Sequence, residues 1–215
     1  MKRDKINTYL FLGLLGAVIT LAGELLQGYA APVSGQDAML ALLQTHGALP
    51  VWRLGLGSTV GAAGILLQYF GMYAICLSLK APKEKTVRNF RLGICNYTVL
   101  GAMVHILMSL MLYVYKLDAG AVADFTLWFV VPITAVFLVG YAWFSVILFN
   151  AFRKKETVFP AWCCVLNPVL GKAVINAFAA ALPVSALSNA VSYSNMGITA
   201  VIMFGALLIL RKQQK

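Results

Sequence analysis

Three titratable side chains stand inside long apolar runs of this sequence: Glu24, His105 and Lys172. A charged side chain at the centre of a membrane helix costs at least ~2.5–3.5 kcal/mol on insertion scales, so such residues face a partner or a wet cavity. A carboxylate, an imidazole and an ammonium together can hold a polar ligand or pass a proton near neutral pH. Each has a polar neighbour one helical turn further along: Gln27 after Glu24, Ser109 after His105 and Asn176 after Lys172. Arg53 and Asp124 stand at the mouths of two other apolar runs. The expectation is a ligand-binding pocket built from Glu24, Gln27, Arg53, His105, Lys172 and Asn176. The competing reading is a buried Glu24–Lys172 ion pair, with His105 hydrogen-bonded nearby, that only fixes helix packing.

Other chemistry lacks its residues. The sequence has no Gly-rich phosphate loop, no His-Glu-x-x-His helix and no Gly-x-Ser-x-Gly turn. Of two histidines, His46 falls in a connecting segment, which leaves His105 without a second imidazole at its depth for a metal or haem. No cofactor is expected. Cys163-Cys164 has no accompanying ligand cluster, and all four cysteines (Cys76, Cys95, Cys163, Cys164) read as small packing residues rather than disulfides.

The elements that must position these groups are transmembrane helices. Apolar residues are 61% of the chain and charged residues 11%, a balance that a soluble domain of this length does not carry. Six apolar segments reach the ~20 residues that cross a bilayer as helix: roughly 8–30, 53–79, 91–115, 125–150, 158–182 and 191–210, with a long outer loop at 31–52. The fold class is all-α, a polytopic six-helix transmembrane bundle forming a single integral membrane domain over 1–215. The fifth segment is irregular, because Asn167-Pro168 interrupts it and Pro183 closes it.

Orientation follows from the basic residues. Fourteen of them lie in the N-terminal tail, the second and fourth loops and the C-terminal tail, against Arg53 and Lys116 on the other side. The positive-inside rule then puts both termini in the cytoplasm of a cell whose plasma or inner membrane holds the protein. The net charge of +10 is therefore a topology signal directed at anionic membrane lipid, not at nucleic acid. Tyr29, Trp52, Tyr113, Tyr115 and Trp128 would mark the outer interface, and Phe90, Phe152 and Trp162 the inner one. Counted from the inner boundary at 1.5 Å per residue, Glu24, His105 and Lys172 lie at about 24, 21 and 21 Å, in one layer of the outer half.

Small residues prescribe close helix packing. Gly57, Gly61 and Gly64 share a face of the second segment, and Gly13, Gly16, Ala17 and Gly23 form a stripe on the first. The stripes serve packing within the chain, with homodimerisation or a membrane-protein partner as the alternative. In the outer loop, Met39, Leu40, Leu42 and Leu43 between Asp37 and His46 predict a short helix that is either a passive interfacial element or a lid. Gly28-Tyr29-Ala30-Ala31 has the look of a signal-peptidase site, but the apolar run before it is long and Glu24 and Gln27 lie close to the cut. Gln68, Asn96, Asn150 and Asn167 are deeper polar residues that either extend a cavity inward or join helices.

Gly23-Glu24-Leu25-Leu26 and Trp52-Arg53-Leu54-Gly55-Leu56-Gly57 resemble segments of small uncharacterised bacterial membrane-protein families. That resemblance implies a bacterial inner membrane and brings no activity with it. Three function classes fit the residues: a binder or carrier of a small amphipathic or lipidic molecule, an intramembrane acid–base enzyme on a lipid-like substrate using Glu24 or His105, and a non-catalytic subunit or sensor with a structural polar layer. The first is the leading expectation, and catalysis is left open.

Overall fold

The computed structural model describes residues 2–33 and 38–213, and those residues are helical apart from short connections. The helices are α1 (Lys2–Gly28), α2 (Ala38–Gly47), α3 (Val51–Leu77), α4 (Glu84–Leu117), α5 (Val122–Arg153), α6 (Pro168–Ala181), α7 (Ala186–Tyr193) and α8 (Asn195–Gln213). Five of these, α1, α3, α4, α5 and α8, are long and apolar enough to cross a membrane. Where the sequence predicts a fifth span interrupted at Asn167-Pro168, a 3₁₀ turn over Ala161–Leu166 leads through Asn167 into α6, of 14 residues. Pro168 cannot continue a helix from 166 because it lacks an N–H and its ring collides with the preceding turn. The Asn167 carboxamide then caps α6, accepting from the N–H groups of Val169 and Leu170 at 2.9 and 3.4 Å. Its amide donates to the Ser145 carbonyl of α5 at 2.7 Å, so the break is anchored. The last apolar run is also divided: Val191, Ser192 and Tyr193 end α7, and the chain bends at Ser194 before α8 begins.

The elements close into a ring in the order α1, α3, α4, α5, the 3₁₀ turn with α6, and α8, which returns to α1. The glycine stripes join α1 to α3. A Cβ placed on Gly16 would lie 2.7 Å from the Gly64 carbonyl oxygen, and one on Gly23 would lie 2.5 Å from the Gly61 nitrogen. Only glycine permits backbones to meet so closely. Both stripes are thereby consumed inside one chain.

The two ends of the ring differ. At one end Leu79 bridges Thr157, the Lys80 N–H donates to the Glu156 carbonyl at 2.7 Å, and Val158 donates to Ser78 at 3.0 Å. The two basic loops therefore sit side by side. An apolar core of Ile6, Leu79, Phe90, Phe152, Phe159 and Leu207 gathers beside them. Phe90 and Phe152 are fully buried there, so they are core residues and not the interfacial belt that the sequence suggests, whereas Trp162 is half exposed. At the other end α2 packs with Leu49, Leu54, Met111, Leu112 and Val122. The loop helix expected between 37 and 46 is α2; Asp37, like Lys215, lies outside the described residues.

The distribution of polarity is inverted relative to a soluble protein. Phe11, Leu15, Leu66, Phe129, Val139 and Val146 are exposed on the ring's outer faces, while Thr20, Glu24, Gln27, Gln68 and Asn167 are buried within it. Exposed apolar surface of that extent marks a contact with apolar surroundings.

Candidate functional site

The interior of the ring holds a cavity of ≈ 390 Å³, to which every helix contributes. From α1 come Thr20 and Glu24, from α3 Ile65 and Gln68, and from α4 Tyr97, Val104, His105 and Met108. Phe137 of α5, Lys172 of α6, Asn189, Ser192 and Tyr193 of α7, and Asn195 and Met196 of α8 complete the wall, and Leu42 and His46 of α2 close its end. Glu24, His105 and Lys172, on three different helices, thus face one space.

Each is placed by a local device. Glu24 is 6% exposed, and its Oε2 accepts from the Gly197 N–H at 2.9 Å. A Cβ on Gly197 would collide with that carboxylate, so α8 carries glycine where Glu24 crosses it. The His105 Nε2 shares a 3.3 Å hydrogen bond with the Gly57 carbonyl, and the imidazole occupies the space a Cβ on Gly61 would need. Lys172 rides the first turns of α6, which meets α8 beside it where Thr199 rests on Gly171. Its ammonium has no hydrogen-bond or ion-pair partner among the described residues, although it attracts Glu24 electrostatically across the cavity. The direct Glu24–Lys172 ion pair of the competing reading does not form.

The other three residues read from the sequence stand behind this wall. Gln27 is fully buried and joins three helices: its Nε2 donates to the Leu54 carbonyl at 3.1 Å and to Ser109 Oγ at 2.8 Å, and its Oε1 accepts from the Tyr193 hydroxyl at 2.7 Å. Asn176 accepts from Asn195 Nδ2 at 2.9 Å and so braces a wall residue. Arg53 donates to the Leu26 and Tyr29 carbonyls at 2.7 and 2.8 Å, a cation at the C-terminal end of α1 where the helix dipole favours it. Its guanidinium is committed to backbone and does not line the cavity.

Several wall residues escaped the sequence reading. His46, assigned to a loop, is 2% exposed: its Nδ1 shares a 2.9 Å hydrogen bond with the Gln27 carbonyl and its ring lies 4.9 Å from that of Tyr193. Burial, aided by the nearby Arg53 charge, pushes its pKa below the usual histidine range against the pull of the Gln27 carbonyl. Both histidines therefore meet the same cavity. Tyr97 reaches the cavity from a π-helical turn at Asn96–Leu100 and donates to Gln68 Oε1 at 2.7 Å, while Gln68 donates to Thr20 Oγ1 at 2.8 Å. A π turn inserts one residue and rotates the helix beyond it; no residue type announces it. Of the deeper polar residues, Gln68 belongs to the wall, whereas Asn96 bonds the Phe137 carbonyl at 3.2 Å and Asn167 bonds Ser145, joining helices. No three His, Cys, Asp or Glu side chains cluster as metal ligands among the described residues.

Fold and cavity together define an all-helical protein with several helices of membrane-crossing length around a polar interior. The chain belongs to a family of unknown function (DUF6796), whose profile matches residues 1–214. No curated protein and no solved structure matches it.

Proposed function

We propose that this protein is a six-span membrane protein, with both termini cytoplasmic, that binds or carries a small amphipathic molecule in a polar pocket in the outer half of the bilayer. One observation carries the reading: Glu24, His105 and Lys172 line one cavity, and the Lys172 ammonium has no protein partner there among the described residues. An ion pair serving only to lock helices would be closed on itself, because an unpaired buried charge is costly. The volume falls within the ~300–1,000 Å³ of small-molecule sites, and apolar walls with a few convergent polar groups are their usual make-up. The discontinuous element supports the sixth crossing: the 3₁₀ turn and α6 rise about 12 and 21 Å, together enough for a ~30 Å core. Broken helices at membrane depth are tolerated where they line a cavity. Juxtaposition of the two basic loops supports a shared cytoplasmic side. That α2 brings Leu42 and His46 to the cavity's end supports a lid over a passive surface helix.

Native mass spectrometry of the protein in mild detergent, beside Glu24→Ala and Lys172→Ala, tests binding. A discrete adduct on the wild type that both folded variants lose is the expected result. Bulk lipid alone on all three would overturn the reading.

A further inference from the structure

The hydrogen-bonding capacity left over on the cavity wall specifies a ligand. Most of the wall's polar groups are already committed. Tyr97, Gln68 and Thr20 bond one another, Tyr193 bonds Gln27, and Asn189 Nδ2 donates to the Gly28 and Ala30 carbonyls, both at 3.1 Å. Asn195 Nδ2 is shared between Asn176 and the Ser192 carbonyl. Beyond one ring nitrogen each on His46 and His105 and the Ser192 hydroxyl, what remains is a cation and an anion. The Lys172 ammonium carries three donors and no acceptor, and none of the three is used within the described residues. Glu24 keeps an oxygen beyond the one that accepts from Gly197.

An unpaired ammonium on a cavity wall calls for an anion, and a carboxylate oxygen calls for a donor. The two stand on α6 and α1, on walls of the same cavity and out of contact, so one head group carrying both functions can lie between them. Charge balance selects the anion. With Glu24 protonated, a monoanion neutralises Lys172; with Glu24 ionised, a zwitterion leaves the enclosure neutral. A phosphate dianion leaves excess negative charge in both cases while His46 and His105 are neutral, so it would have to draw a proton onto one of those buried rings. Ile65, Val104, Met108 and Phe137 supply apolar surface for a chain attached to that head.

We infer that the cavity recognises a carboxylic-acid amphiphile whose carboxylate meets Lys172 and whose adjacent hydroxyl or ammonium meets Glu24. This deepens the binding function proposed above and rests on it.

Binding of radiolabelled 2-hydroxydecanoate to the full chain in lipid nanodiscs, measured by scintillation proximity, tests the inference. The competitors are unlabelled 2-aminodecanoate, decanoate, 1-decanol, decylammonium and 2-hydroxybutyrate. The two substituted acids should displace the label at about tenfold lower concentration than decanoate, the weight of one added charge-assisted hydrogen bond. Decanol and decylammonium should be weaker still. Lys172→Gln should lose at least about tenfold in affinity and Lys172→Arg should keep most of it, while Glu24→Gln should bring 2-hydroxydecanoate and decanoate closer together. The ranking on the wild type stands as a test even where a variant fails to fold. Decylammonium or decanol displacing best would overturn the head-group assignment and leave the binding cavity intact. Short-chain 2-hydroxybutyrate competing equally would remove the amphiphile. No saturable binding of the label above that of empty nanodiscs would overturn the inference, and a native spectrum without an adduct would overturn the binding function beneath it.

Discussion

At the scale of single residues, close packing and polarity are linked through glycine. Gly61 has no side chain because the His105 imidazole fills that space, whereas a Cβ on Gly55 of the same helix meets nothing within 4 Å. The two positions should therefore respond oppositely to one change. Gly61→Ala is expected to push His105 off the Gly57 carbonyl and cost about 1–3 kcal/mol, as overpacking does. Gly55→Ala should gain about 0.5–1 kcal/mol of helix propensity. Melting temperatures of both variants in one detergent check this, and equal shifts would place His105 elsewhere. Glu24, His105 and Lys172 were legible in the sequence because a titratable group is conspicuous against twenty apolar neighbours. Their mutual facing was not, since helix rotation is fixed by contacts such as Gly197 on Glu24, which spacing does not encode. Tyr97 was missed because an aromatic residue beside an apolar run reads as lipid-facing surface, and Tyr193 because it stands between Ser192 and Ser194 at the edge of one.

At the scale of elements, α2 is held by His46. Its pKa is lowered mainly by burial and further by Arg53, with the Gln27 carbonyl opposing. The sign follows: the folded state binds this proton less readily than the unfolded one, so docking of α2 is fully stable above the ordinary histidine value of about 6.5 and weakens as pH falls below it. Amide exchange over residues 38–47, corrected for its intrinsic pH dependence, should be faster at acid pH than at neutral pH. His46→Gln should remove that difference; exchange independent of pH in the wild type would show that His46 does not hold the helix. The helix itself was readable from Leu40, Leu42 and Leu43, but its inward seat was not, because His46 looks polar in isolation and acquires its partner from Gln27 on α1. The divided fifth segment was readable from Asn167-Pro168, since proline acts locally. The π turn at Asn96–Leu100 and the turn at Ser194 leave no such mark, so the last segment, expected from 191, begins as α8 only at Asn195.

At the scale of the whole molecule, apolar faces turn outward around a polar interior, and two basic loops lie together at one end. The inferred orientation predicts that, in a cysteine-free background in intact cells, a cysteine replacing Leu187 reacts with impermeant thiol reagents and one replacing Thr86 does not. The reverse pattern would invert the topology. The all-helical class was legible in the hydropathy, and five of the six expected segments contain a helix long and apolar enough to cross a membrane; closure of the ring was not legible, because it depends on the α1–α3 glycine contact and on α6 meeting α8 through Gly171. The central claim is that Glu24 and Lys172 serve a ligand rather than each other, and a double-mutant cycle of thermal or denaturant stability with Glu24→Gln and Lys172→Met measures it most directly. The account predicts a coupling of less than about 1 kcal/mol, with Lys172→Met nearly neutral for stability. A loss of about 3–5 kcal/mol in each single variant, recovered in the double, is the signature of a broken buried ion pair and would contradict it.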